Sequence, residues 1–139
     1  MKLALRKTAA TGANWLARFA AWAIKTRLVS EYCHGGIVIG DKIYHATAQH
    51  GLCSADFTPE HWDLFEVNFN EQLALDLYYK HCGAGYDWFS LLAFVLPGTY
   101  TDSQRFYCFE WCWLCLTGEY PSGRVTPEML IKYRDGYGA

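Results

Sequence analysis

FYCFEWCWLCLTG, residues 106–118, holds three of the chain's six cysteines, Cys108, Cys112 and Cys115, on a stretch with the pattern of one helix. Cysteine attacks as the thiolate, so a nucleophilic cysteine belongs at a helix N-terminus, where orphan N–H groups and the helix dipole favour negative charge, with an imidazole nearby. Only Cys108 has that placement: it follows the polar segment TYTDSQR and opens the helix. Cys112 and Cys115 lie one and two turns further on, among Trp111, Trp113 and Leu114, and read as small apolar packing residues. They also spell a CxxC, but no second CxxC or HxxxH accompanies it, so neither zinc nor dithiol redox chemistry is expected there, and no metal or cofactor is expected elsewhere.

A thiol nucleophile needs a base, and the chain offers five histidines. His34 heads a β-rich run, HGGIVI, and His45 ends the next, KIYH, with Gly40-Asp41 between them as a two-residue hairpin turn. Counting outward from that turn sets Ile39 against Lys42 and Gly36 against His45, which makes His34 the diagonal, same-face neighbour of His45. One ring would serve as base while the other fixed its tautomer and orientation. A turn one residue longer would put the rings on opposite faces. Gly35 and Gly36, directly after His34, allow close backbone approach, and His50, His61 and His81 are given no role.

The elements that must position these groups follow from periodicity and punctuation. Residues 14–28 carry Trp15, Phe19 and Trp22 at i, i+4 and i+7, with Arg18 and Lys25 on another stripe: a basic amphipathic helix over about 13–28. Its aromatic stripe has two readings, a cover for the domain's own core, the better supported, or an interfacial anchor on a membrane surface. Leu64–Phe69 alternates as a third strand, Asn70 caps a helix to about His81, and Asp87 caps another through WFSLLAFVL, with a second reading in which Asp87 lines a cleft. Thr126-Pro127 opens a last short helix. Helices outweigh strands, so the expected class is α+β with a small antiparallel sheet packed against helices.

With 139 residues, about half of them apolar, the chain supports one core and is read as a single domain over 1–139. Six cations precede the first acid, Glu31, so the first thirty residues read as a basic arm on an acidic body. One helix of positive charge is too short a footprint for nucleic acid, which is not expected as a partner. Arg6, Lys7 and Arg18 interrupt any secretory apolar core, and no run is long enough to span a bilayer, so the reading is a cytoplasmic protein with free thiols.

Four short motifs in a fixed order resemble the circularly permuted branch of the NlpC-type, papain-like cysteine hydrolases, which includes YiiX-like proteins and relatives of lecithin:retinol acyltransferase. YCHGGIVIGDKIYHATAQHGL is similar to the family's histidine strand and its partner, GAGYDWFSLLAF to its Tyr-Asp helix, FYCFEWC to its nucleophile box and RVTPEML to its closing turn. Small phage-encoded members are the nearest set, and the likeness spans roughly residues 20 to 133. It implies a permuted papain-like fold, Cys108 as nucleophile with His34 and His45, and a substrate pocket near Gly35, Tyr86 and Phe109. Phe109 stands where the family usually has serine, and Cys33 replaces the serine before the histidine; neither change removes a catalytic group. The implied activity is thioester-mediated hydrolysis of an amide or peptide bond, as in cell-wall peptides, or of an acyl ester. The alternatives are a lipid acyl hydrolase or acyltransferase at a membrane surface, and a non-enzymatic phage binding or host-takeover module on the same scaffold.

Overall fold

The computed structural model describes residues 1–8, 12, 14–28, 30–47, 50–83 and 107–137. Its elements are β1 (Lys2–Arg6), α1 (Trp15–Leu28), β2 (His34–Ile39), β3 (Lys42–Thr47), β4 (Gly51–Asp56), β5 (Trp62–Glu66), α2 (Glu71–His81), α3 (Cys108–Thr117) and α4 (Pro127–Tyr137). The strands form one antiparallel sheet in the order β4-β3-β2-β1-β5, and the class is α+β. The helix expected after Asp87 lies outside the described residues, as do Tyr86 and the TYTDSQR segment.

The β2-β3 hairpin has the register read from the turn: Ile39 pairs with Lys42, Val38 with Ile43 and Ile37 with Tyr44. Gly40 has φ 62° and Asp41 is not left-handed, the pattern of a type II′ turn, in which glycine carries the only positive φ. Two caps also match: Asn70 Oδ1 accepts from the Leu73 N–H (3.1 Å), and Thr126 Oγ1 accepts from the Met129 N–H (3.2 Å) with Pro127 at the first helical position. Helix α3 stops at Gly118, φ 74°, whose N–H bonds Leu114 O.

Three strands depart from expectation, one of them β4, Gly51–Asp56, where the sequence predicts no element and which pairs with β3. Residues 2–6 are not part of a basic arm: KLALR is an inner strand between β2 and β5, and Leu3, Ala4 and Leu5 are fully buried. Its cations flank an alternating apolar pair, so burying Leu3 and Leu5 on one face outweighs the charge pattern of the wider N-terminus. The strand expected over Leu64–Phe69 instead covers Trp62–Glu66, because its ladder to β1 runs from Arg6 opposite Trp62 to Lys2 opposite Glu66, after which the chain turns toward the Asn70 cap.

Strand alternation gives the sheet two different faces. One presents Leu3, Leu5, Ile37, Ala46 and Leu52 to α3, whose residues are all buried except Trp113 and Thr117; Val67, Ala74, Val125 and Leu130 complete that core. Trp111 and Leu114 are completely enclosed, and burial of this kind contributes roughly 2 kcal/mol per large side chain. Trp111 Nε1 donates to Tyr44 O (2.9 Å), which ties α3 to β3. The other face has a smaller cluster, Ala4, Val38 and Ile43, with Phe57 and Trp62 against it.

Helix α1 forms where expected, but Trp15, Phe19 and Trp22 are 74%, 50% and 60% exposed, so the stripe does not cover the domain's core. Among the described residues no helix is long and apolar enough to cross a membrane.

Candidate active site

His34 opens β2 and His45 sits near the end of β3, and the hairpin register puts both on the face with Val38 and Ile43. Their rings share a hydrogen bond, His34 Nε2 to His45 Nδ1, at 2.9 Å, with the rings nearly edge to face. Gly36 makes the contact possible: a Cβ there would lie 2.8 Å from the Ile43 side chain and 3.1 Å from His45 Cβ. The bond fixes the relative tautomers of the two rings: if His34 carries its proton on Nε2 and His45 accepts it, Nδ1 of His34 is left as an acceptor.

Burial and the nearby Arg6 guanidinium both oppose a second positive charge here. Desolvation first, then Arg6, pushes His45 down to about 4, and burial, His45 and Arg6 push His34 well below its ordinary range. The pair is therefore neutral at physiological pH, the form in which imidazole acts as a base.

Cys108 is the first residue of α3, as expected, and its side chain is completely buried. Helix α3 lies on the opposite face from the two rings, and the two sides meet at the rim of the sheet, where β2 begins. There the thiol receives backbone hydrogen bonds from Gly35, the residue after His34, and from Phe109 and Cys108 itself. These donors pull the thiol pKa down, but desolvation outweighs them and raises it to about 12. The expected acidification by the helix N-terminus is thus outweighed by the enclosure of the sulfur. Among the described residues no hydrogen bond joins the thiol to His34. The thiol is thus protonated and the imidazole pair neutral.

Gly35 and Phe109 pack on one another at this point. A Cβ on Gly35 would come within 3.1 Å of the Phe109 ring and 3.2 Å of Leu5, and Phe109 is fully buried. Its large side chain fills the space beside the glycine. Tyr86 lies outside the described residues. Cys112 and Cys115 are buried, and burial raises both thiols well above their ordinary range, in keeping with packing roles. Glu110, also buried, accepts from the Tyr107 N–H at 3.3 Å and closes the first turn of α3. Among the described residues no group of three His, Cys, Asp or Glu side chains is arranged to hold a metal ion.

Two residues of the site carried no signal as chemistry-bearing groups. Arg6 pairs with His34 across β1 and β2, and with Trp62 across β1 and β5, so that its guanidinium lies 4.8 Å above the Trp62 ring and the Trp62 and His34 ring centres are 5.8 Å apart. The alternation in KLALR was the available clue: it makes residue 6 a strand end, on the face opposite Leu3 and Leu5.

Comparison with protein-family models, with curated proteins and with solved structures finds no match to the chain.

Proposed function

We propose that the protein is a cysteine hydrolase that cleaves an amide, peptide or acyl-ester bond through a thioester on Cys108. The observation that carries the reading is the His34–His45 ring pair at 2.9 Å, held at the end of the sheet where the Cys108 thiol meets the Gly35 backbone. Such a pair has little structural merit by itself, since two desolvated imidazoles cost stability, and perturbed, mutually bonded titratable groups beside a helix-start thiol are characteristic of sites that move protons.

In the proposed reaction Nδ1 of His34 takes the Cys108 proton as sulfur attacks the acyl carbon, and backbone N–H groups at the start of α3 hold the oxyanion. The tetrahedral species collapses with the C–N or C–O bond breaking, the proton passes from His34 to the leaving group, and the acyl group remains on sulfur. Water, deprotonated by His34, then attacks the thioester, releasing a carboxylic acid and restoring the thiol. The base and sulfur begin on different faces of the sheet, so the reaction requires the thiol to turn toward the rim.

A lipid acyl substrate is the second reading, favoured by the exposed Trp15, Phe19 and Trp22 on a helix with Arg18 and Lys25 and no acid, the makeup of an interfacial helix. The test is intact-mass analysis after incubation with acyl-ester, phospholipid and peptide panels. A Cys108-linked acyl adduct, absent from Cys108→Ala, is the expected result. Turnover that survives Cys108→Ala, or no adduct from any panel, would leave the non-enzymatic binding module as the reading.

A further inference from the structure

Arg6 is a cation set over Trp62 at the histidine end of the sheet. Its Nε is buried without a hydrogen-bond partner, and among the described residues no carboxylate pairs with it. The alternation of β5 explains this: Asp63 is next to Trp62 in sequence but projects to the other face, where it binds Tyr32 Oη (2.9 Å) and Lys7. Lys7 also takes Glu31. The Arg6 carbonyl accepts from both the N–H (2.9 Å) and the thiol (3.5 Å) of Cys33, while its guanidinium lies over the Trp62 ring. Such a partly desolvated, unneutralised cation is costly to keep.

We propose that Arg6 is the anion-binding residue of this site and that the substrate carries a carboxylate or phosphate close to the bond that is cleaved. The inference rests on the hydrolase reading for the word substrate, but the anion site itself stands on the geometry of β1, β2 and β5. The Trp62 ring lies 4.8 Å from the guanidinium carbon and the Nε–H has no partner, so the planar fork is unengaged for a two-oxygen anion, the arrangement arginine serves best. It also links binding to catalysis. With Arg6 bare, a proton on His34 is opposed by a neighbouring positive charge; with an anion on Arg6 that opposition is removed, so the acceptor of the Cys108 proton becomes competent when the right substrate arrives.

The test uses the full chain with inorganic phosphate and, separately, acetate as probes, followed by the Arg6 Nε–H and the His34 and His45 imidazole nitrogens in NMR. A saturable shift of the Arg6 Nε–H, with His45 titrating at higher pH when the anion is present, is expected in the parent and in Cys108→Ala. In Arg6→Gln the His45 change should vanish. A stronger response to phosphate points to a phospholipid or phosphorylated substrate, and a stronger response to acetate to a peptide carboxylate. No saturable shift with either anion, or a His45 change that persists in Arg6→Gln, overturns the proposal, and the Arg6 signal of the parent decides it even if the variant fails to fold. Anion binding at Arg6 in a protein that acylates with nothing would sustain the inference and remove the hydrolase reading. Cys108-dependent cleavage that is equally fast for an uncharged ester and its carboxylate-bearing analogue would do the opposite, because an engaged arginine should favour the anionic substrate by about tenfold or more in kcat/KM.

Discussion

Helices α1 and α3 are both rich in tryptophan and phenylalanine, yet Trp22 is 60% exposed and Trp111 is completely enclosed. Composition does not separate them. What separates them is the surface each meets: α3 lies across β2 and β3 with Leu3, Leu5, Ile37 and Ala46 beneath it, and Trp111 Nε1 finds the Tyr44 carbonyl, whereas the Trp15, Phe19 and Trp22 stripe of α1 meets no such surface. An aromatic stripe is an offer of burial, and only a complementary apolar face takes it up. The same sheet shows a second contrast, between the apolar face under α3 and the rim that gathers Arg6, His34 and His45.

The sharpest way to break the first contrast is Cys112→Asp. Cys112 is fully enclosed, so the carboxylate would have no solvent and no partner, and a loss of about 4 kcal/mol or more is expected, read as a large drop in melting temperature. A variant that melts like the parent would mean that α3 is not the packed helix described. Acid sharpens the second contrast. Because burial and Arg6 hold His45 down to about 4, the unfolded chain binds protons between about pH 6.5 and 4 that the folded chain refuses, so stability should fall as pH drops through that window, by up to about 3 kcal/mol from His45 and further from His34. Melts from pH 7.5 to 4.5 measure it, and His45→Gln should flatten the curve; a profile equally steep in that variant would place the acid sensitivity elsewhere. The smallest effect on stability is expected at α1, where replacing Trp15 and Trp22 together by serine should change it by no more than about 0.5 kcal/mol. The same double variant should lose binding to vesicles containing anionic lipid if the stripe is an interfacial anchor, and unchanged sedimentation with those vesicles would remove that reading.

Local chemistry made much of the molecule legible in the residues alone. The Gly40-Asp41 turn dictated the pairing of β2 and β3 and thereby the meeting of His34 with His45, because a two-residue turn leaves one register and side chains alternate with period two. Asn70 and Thr126 marked helix starts because each satisfies a particular orphan backbone group. Tertiary structure alone decided three things. It made residues 2–6 an inner strand, since only pairing with distant β2 and β5 rewards burying Leu3 and Leu5. It left the α1 aromatics uncovered. It also set the ionisation of the site: a helix start predicts an acidic thiol, but the enclosure of Cys108, and the arrival of Arg6 beside the two imidazoles from a strand far away in sequence, reverse the balance, because desolvation and charge proximity are properties of neighbours in space rather than in the chain.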